Sequence, residues 1–459
     1  MASENTNLSL YELDRIFKRA KSIFFIGIGG ISMSSLAQWC VYQGKSVFGY
    51  DRARSEECLR LEEVAHIRYC STTDSVRGMD LVVFSNAIDD DCFELKSARK
   101  IGIPTVSRAN FLSYVMSEHR VRIGVAGMHG KSTTTAMLAH IFRHAEKDPS
   151  VICGARMKEF NAAYRFGKRD YFIFEACEYM NSFLCFSPTD AVITNIDLDH
   201  TDFFDDVLQI QASFKEYVLS ARRVFINADN ELSECISHPY KVTFGIDRRA
   251  DYMAKIDTGC QQNSFSVLRR GIECTHVVLK EYGRHNVYNA LCAFAVAAEQ
   301  GIDATVIACA LRTFEGIKRR QELIKYVSTK YASESHRVPL FLDYAHHPTE
   351  IKASLDAFRD MGYKRILCIF QSHTFSRTYA LYDKFSEALS GVAYLVMLPI
   401  YSAREQNSYP ISSEGFAKDA GAIYMTEYEK IAEYVAQSDA DVVIIMGAGD
   451  VEALKKYII

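Results

Sequence analysis

The stretch GVAGMHGKSTTTAM, residues 124–137, decides the fold. An apolar, strand-like run leaves through Gly127-Met128-His129-Gly130-Lys131-Ser132-Thr133 into a helix-forming segment. Phosphates need this arrangement. Glycines let backbone N–H groups close around oxygens, the helix N-terminus adds a positive dipole, and a lysine reaches the outer phosphates. A serine hydroxyl in the next position can meet Mg2+. The spacing is GxxGKS, because Val125 stands where a full GxxxxGKS motif has its first glycine. A nucleoside triphosphate site is the expectation.

Short apolar runs of the same kind recur on both sides. SIFFIGIGG (22–30), SVFGYD (46–51), DLVVFS (80–85), YFIFEAC (171–177), AVITNI (191–196) and RVFINAD (223–229) are examples. PLFLDYA (339–345), RILCIFQ (365–371), YLVMLP (394–399) and DVVIIMGAG (441–449) continue the series. Continuous apolar runs point to parallel strands covered on both faces, and segments such as 131–146 and 376–390 are long enough for crossover helices. The fold class is α/β, doubly wound and repeated along the chain. A length of 459 residues suits roughly three domains. Breaks are expected near 117 and 322, the second within the highly charged stretch 314–338.

Composition narrows the function. With 53 Lys+Arg against 57 Asp+Glu, the net charge of −4 offers no cationic field for nucleic acid or anionic lipid. No apolar run approaches the ~18–20 residues of a membrane helix, and the opening MASENTNLSLYELD predicts no secretory signal. The 13 cysteines form no CxxC pair, and Cys153, Cys292 and Cys368 lie inside apolar runs. Buried thiols in a reducing, cytoplasmic compartment are expected.

A second glycine loop, Gly27-Ile28-Gly29-Gly30-Ile31-Ser32, follows the first strand, and Asp51 ends the next. A dinucleotide fold puts its ribose-binding acid there. Ser32 replaces the third glycine of that fingerprint, so NAD, another phosphorylated ligand and a plain structural turn all remain open. Farther on, Glu175 and Glu178 close one strand, and Asp199, His200 and Asp202 lie beyond the next. A glutamate and a histidine meeting there beside Ser132 could complete a hard-metal shell; exposed carboxylates around a loop histidine are the alternative. Asn286 and Asn289, three apart at a helix start, can face one ligand or cap the helix. Asp343, Tyr344, His346 and His347 crowd a strand exit before Pro348, and Arg377 follows another exit. Its fixed charge suits a carboxylate or phosphate.

Taken in order, GIGGISMSSLA (27–37), GMHGKSTTTAM (127–137), EACEYMNSFL (175–184), GRHNVYNAL (283–291), GIKRRQE (316–322), DYAHHPTEI (343–351) and the closing GAGDV (447–451) resemble the Mur ligases of peptidoglycan synthesis. The resemblance is strongest to the branch that adds L-alanine to UDP-N-acetylmuramate. It implies a Rossmann-like domain for the UDP-sugar (1–117), a central P-loop ATPase-like domain with a parallel or mixed sheet (118–322) and a C-terminal Rossmann-like domain (323–459). It implies ATP as co-substrate and Mg2+ with Mn2+ as a substitute, in a monomer or weak homodimer. Under it, Gly127, Met128, His129, Gly130, Lys131, Ser132 and Thr133 hold phosphates. Asn286 and Asn289 read adenine, Arg320 approaches the nucleotide and Asp343 holds its ribose. Ser132, Glu175 and His200 are the implied metal ligands. Gly27, Gly29, Gly30, Ile31, Ser32, Asp51, Ser85 and Ala87 are assigned to the UDP-sugar, and Tyr344, His346 and Arg377 to the amino acid. Lys131, His200, His346 and Arg377 are the implied catalytic set.

The chain departs from the pattern at Met128 and Ser132 (both commonly Thr), at Cys177 (commonly Asp) and at Thr374 (commonly Arg). Lys215 is the candidate for the carbamylated lysine of sibling enzymes. An NAD-dependent oxidoreductase, a non-catalytic nucleotide-binding relative and a ligase for a different amino acid or peptide are the competing readings.

Overall fold

In the computed structural model, residues 8–458 are described except 73–74, 86, 89–90, 202, 258–262, 331–336 and 404. Asp202 of the expected acidic cluster therefore lies outside the described residues. Each apolar run picked out in the sequence is a strand, and the strands form three sheets.

The first sheet is wholly parallel, in the order His66–Arg68, Ser46–Tyr50, Ser22–Ile26, Leu81–Phe84, Thr105–Ser107. This is the five-strand order of a Rossmann half with its neighbour. The third sheet runs Glu322–Val327, Val338–Asp343, Val442–Gly447, Ile366–Gln371, Tyr394–Met397, Ile423–Tyr424, and only its first strand is antiparallel. Val442–Gly447 and Ile366–Gln371 are buried at every position, as strands covered on both faces must be. Glu322–Val327 lies inside the stretch that reads in sequence as a charged connection. Its mostly half-exposed side chains mark an edge strand, whose charges stay in water while its backbone pairs on one side.

The central sheet has ten strands. Val121–Ala126 lies between Tyr171–Glu175 and Asp190–Ile193, parallel to both, with Val125 opposite Glu175 and Ala126 opposite Ile193. The chain leaves Val121–Ala126 through helix Lys131–His144 and returns in Ser150–Met157, beyond Tyr171–Glu175. From Tyr171–Glu175 it crosses to Asp190–Ile193 on the other side. The strand order thus reverses at Val121–Ala126, which opens a crevice at the carboxyl end of that strand. Antiparallel strands Tyr252–Ile256, Ser264–Arg269 and Ile272–Val278 extend one edge.

Helix Lys131–His144 is buried on most of its surface, packed in one core with helices Arg284–Glu299 and Ala304–Thr313 and with Phe225 and Phe244. The opposite face of the sheet, through Phe172, Phe174 and Phe214, is continuous with the N-terminal core of Phe17, Trp39 and Phe111. The crossover expected at 376–390 is two helices, Phe375–Ala380 and Tyr382–Leu389. Leu381 leaves helical geometry (φ −117°, ψ 23°) and is buried in the core, so the kink follows from packing. The twelve described cysteines are all free, with Cys153, Cys292 and Cys368 buried as expected. Among the described residues no helix is long and apolar enough to cross a membrane.

Phe225 has no exposed surface in the core beneath the crevice. Phe225→Ala is expected to cost about 3–5 kcal/mol and to lower the midpoint of chemical unfolding; an unchanged midpoint would contradict the packing described.

Candidate active site

Two glycines make the phosphate loop close. At Gly127 (φ +132°) a Cβ would lie 2.1 Å from Thr194 Oγ1, and at Gly130 (φ +83°) 2.3 Å from Asn289 Oδ1. Both positions need a left-handed backbone and have no room for a side chain. Asn195 clamps the loop from the next strand exit, accepting from His129 N at 2.9 Å and donating to His129 O at 2.8 Å.

One side of the loop faces carboxylates. Lys131 Nζ donates to Gly127 O (2.6 Å), Met128 O (3.2 Å) and Glu178 Oε1 (3.0 Å). Burial opposes the ammonium charge, but the carboxylate of Glu178, aided by Cys177 and Glu175, outweighs it and raises the lysine pKa. Burial likewise opposes ionisation of Glu178, and Lys131 with His200 holds its pKa below the usual value. His200 Nε2 lies 3.1 Å from the same Oε1. Ser132 Oγ donates to Glu175 Oε2 (2.7 Å), which also accepts from Gly154 N (2.7 Å).

The implied metal pair of Glu175 and His200 is therefore rearranged: His200 faces Glu178, and Glu175 faces Ser132. Ala176, Cys177 and Glu178 leave the strand into Tyr179–Cys185, where Met180 and Asn181 take left-handed angles (φ 52° and 54°). Glu178 precedes that turn, and its side chain reaches Lys131 and His200. Glu178 Oε2 is buried with no hydrogen-bond partner among the described residues. An orphaned anionic oxygen beside a hydroxyl, a second carboxylate and an imidazole fits an oxygen-seeking divalent cation. Lys215 is exposed in the last turn of helix Val207–Val218.

The other side of the loop opens on a cavity of about 230 Å³. His129, Gly130, Thr133, Asn286, Asn289, Arg320 and Asp343 of the expected ATP set line it; Gly127, Met128, Lys131 and Ser132 do not. The paired asparagines are largely engaged by the protein. Asn286 Nδ2 donates to Tyr282 O, Asn289 Nδ2 to Asn286 Oδ1, and Asn289 Oδ1 accepts from Thr134 Oγ1. Asp343 accepts from Ala345 N (2.9 Å), Ser354 Oγ (2.8 Å) and Gln321 N (3.3 Å).

The C-terminal unit closes over the loop through acids and histidines. Glu350 accepts from Arg320 Nη1 (3.1 Å) and His346 N (3.2 Å), and it lies 3.4 Å from His129 Nδ1. Asp197 Oδ2 accepts from Thr349 Oγ1 at 2.8 Å and lies 3.4 Å from His129 Nε2. The buried pair Arg377 Nε–Asp199 Oδ1, at 2.8 Å, adds a third tie. Tyr344 carries Arg319 and Arg320 over its ring at 4.6 and 5.3 Å. Thr374 caps helix Phe375–Ala380 from a left-handed position (φ 69°), its Oγ1 accepting from Arg377 N. Glu350 and Asp197 had no assigned role in the sequence reading. Glu350 lies inside DYAHHPTEI as an acid in a first helical turn, the one signal that marked it.

In the N-terminal unit the loop 27–32 is braced from within. Asp51 Oδ2 accepts from Gly29 N at 2.8 Å and Asp51 Oδ1 from Ala53 N at 3.2 Å, so the expected ribose acid supports the loop itself. Gly30 caps the helix that begins at Ile31. Ser32 Oγ accepts from Arg108 Nη1 at 3.2 Å, and Ser85 Oγ accepts from Ala87 N at 3.3 Å.

Three family models match successive parts of the chain: the Mur ligase family catalytic domain at residues 22–120, the Mur ligase middle domain at 125–297 and the Mur ligase glutamate ligase domain at 319–449. The chain belongs to the Mur ligase family. It is 37% identical to the UDP-N-acetylmuramate–L-alanine ligase of Caldanaerobacter subterraneus subsp. tengcongensis, over 95% of this chain and 96% of that one. The corresponding ligase of Clostridium acetobutylicum is 38% identical over 94% and 96%. The structure superposes on UDP-N-acetylmuramate–alanine ligase from Thermotoga maritima with a TM-score of 0.82 at 25% identity, covering 96% of this chain and 98% of that one.

The histidines of the site differ in charge. Burial opposes protonation of His129, but Asp197 and Glu350 overcome it and raise its pKa from 6.5 to about 9. Burial lowers His346 to about 3 and His373 to about 4. A raised histidine stabilises the fold fully below 6.5 and loses that contribution as pH climbs through about 9. Imidazole nitrogen shifts in NMR at neutral pH are expected to show His129 doubly protonated and the other two neutral. A neutral His129 at pH 7 would contradict this arrangement.

Proposed function

We propose that this protein joins L-alanine to the lactyl carboxylate of UDP-N-acetylmuramate at the expense of ATP, through an acyl phosphate, in cytoplasmic peptidoglycan precursor synthesis. The observation that carries the reading is the meeting of Lys131, Ser132, Glu175, Glu178 and His200 at one strand-end crevice, beside a cavity lined by both the central and the C-terminal units. The relatives that share about 37% of their residues over nearly the full length carry that activity in their names. Residues 1–117 take the UDP-sugar, 118–322 the ATP and 323–459 close over both. The twelve described cysteines, all free and five of them buried, suit a reducing compartment. The protein acts as a monomer or weak homodimer.

A carboxylate is a poor electrophile, and bringing it to a triphosphate meets charge repulsion. The carboxylate oxygen attacks the γ-phosphorus, the bond to ADP breaks, and an acyl phosphate forms. The amine of alanine then attacks the acyl carbon and phosphate departs. Lys131 supplies fixed positive charge where the transferred group gathers negative charge. Ser132, Glu175, Glu178 and His200 would hold Mg2+, which contributes Lewis-acid charge neutralisation at the phosphates when bound. Glu178 also keeps Lys131 ionised and aimed at the loop. Arg377, anchored by Asp199, and His346 line the amino-acid side. With a pKa near 3, His346 acts there as a neutral hydrogen-bonding partner rather than as a base. The ties from Glu350, Thr349 and Arg377 draw the C-terminal unit over the loop and shield the acyl phosphate from water.

ADP release, measured with UDP-N-acetylmuramate, ATP, Mg2+ and a panel of amino acids, should be highest with L-alanine. Lys131→Ala should reduce kcat by about 1,000-fold or more while UDP-sugar binding stays within a few-fold. Dependence on NAD, or equal rates in Lys131→Ala, would refute the proposal.

A further inference from the structure

The glycine loop 27–32 of the N-terminal unit and the phosphate loop of the central unit are joined by a continuous series of contacts. Ser55, which caps helix Glu56–Leu61, donates from Oγ to Gly29 O at 3.4 Å. A Cβ at Gly29 would lie 2.5 Å from Cys58 Sγ and 2.8 Å from Ser55 Oγ, so the first turn of that helix is seated against the loop. The next two residues reach the central unit. Arg156, buried on strand Ser150–Met157, donates from Nη1 to Glu56 Oε1 and from Nη2 to Glu57 Oε1.

The same strand holds the phosphate loop's metal-facing corner. Two residues before Arg156, Gly154 N donates to Glu175 Oε2 at 2.7 Å, the oxygen that also accepts from Ser132 Oγ. A Cβ at Gly154 would lie 2.6 Å from that oxygen, which leaves no slack between strand and carboxylate. Cys153 Sγ donates to Ser132 O at 3.5 Å. The backbone of Arg156 is fixed as well: its carbonyl accepts from Lys318 N at 2.9 Å, and Met157 bridges to Ile317 on the segment that leads into the C-terminal unit. A reciprocal arginine comes from the other side. Arg60 donates to Asn161 O at 3.1 Å and to Glu56 Oε1 at 3.3 Å, so Glu56 is shared by one arginine from each unit.

We infer that Arg156 is a positioning residue for the ligase reaction: by holding Glu56 and Glu57 it sets the span between the sugar loop and the Ser132–Glu175 corner. The inference rests on the reading under which loop 27–32 takes the UDP-sugar. Sugar carboxylate and γ-phosphate then arrive on different units, and their approach depends on how those units are held. A misplacement of about 1 Å between reacting groups costs about 100-fold in rate. A guanidinium suits the task, because its planar fork can hold two carboxylates at once where an ammonium is a single point of charge. The hydrogen bond from Arg156 holds the Glu56 carboxyl below its usual range, so the clamp is ionised at neutral pH. Arg156 acts through the helix and the strand.

The test sets turnover against binding. ADP release is measured with UDP-N-acetylmuramate, L-alanine, ATP and Mg2+, and the affinities for ADP alone and for UDP-N-acetylmuramate alone are measured at equilibrium. In Arg156→Ala, kcat should fall by about 10-fold or more while each ligand alone binds within about 3-fold of wild type, since each loop keeps its own contacts. Exchanging the charges, Arg156→Glu with Glu57→Arg, re-forms the pair and should recover much of the lost kcat, whereas Glu57→Arg alone stays slow. An unchanged kcat in Arg156→Ala would overturn the inference. So would a thermal midpoint and both affinities that fall together with kcat, which would make the residue merely structural, or an exchanged protein that is folded and as slow as Arg156→Ala. Absence of ADP release from the wild-type protein would instead overturn the ligase reading.

Discussion

A lysine ammonium and a glutamate carboxylate, Lys131 and Glu178, face each other at 3.0 Å, both largely shielded from solvent. Glu178 has no exposed side-chain surface and Lys131 only 13%. Neither charge would be tolerated there alone. Removing one partner from such a pair costs roughly 3–5 kcal/mol, because the other is left buried and uncompensated. The pair also bears on the proposed chemistry. It fixes a permanent positive charge at the mouth of the phosphate loop, and it holds a carboxylate with one oxygen free for a cation.

The topology makes that meeting unavoidable. Three adjacent parallel strands end together, with Val125 level with Glu175 and Ala126 level with Ile193. Each then throws its loop into one crevice. The middle strand contributes Lys131 and Ser132, one neighbour contributes Glu175 and Glu178, and the other contributes Asn195, Asp197, Asp199 and His200. The C-terminal unit meets the same loops with groups of opposite character: Arg377 on Asp199, Thr349 on Asp197 and Glu350 beside His129. The contacts of the C-terminal unit and the Glu178–His200 pair therefore draw on the same short segment, Asn195–His200.

Much of this architecture was legible in the residues. The strands buried on both faces announce themselves as unbroken apolar runs, and the glycine loop at 127–130 can belong to few structures other than a phosphate cradle. The edge strand Glu322–Val327 was hidden because an edge keeps its charges in water and so reads as a connection. The partner of His200 was hidden for a different reason. Glu175 ends its strand and Glu178 lies beyond it at the head of Tyr179–Cys185, and a separation of three residues does not show which side chain reaches the histidine. Ion pairs such as Arg377 with Asp199, 178 residues apart in the chain, leave no local pattern. Asn286, Asn289 and Asp51 illustrate the same limit: a polar residue at a strand exit or helix start can serve ligand or backbone, and here Asn286 and Asn289 line the cavity while bonding to the protein, and Asp51 braces the loop 27–32.

The central claim is that the sugar carboxylate takes the γ-phosphoryl group at the loop that carries Lys131. Labelling that carboxylate with oxygen-18 and measuring the mass of the released phosphate by phosphorus NMR or mass spectrometry tests it directly. The account predicts one labelled oxygen in each phosphate, left behind when the amine displaces it from the acyl carbon. Phosphate free of label, with the oxygen-18 lost from the carboxylate appearing in water instead, would contradict it.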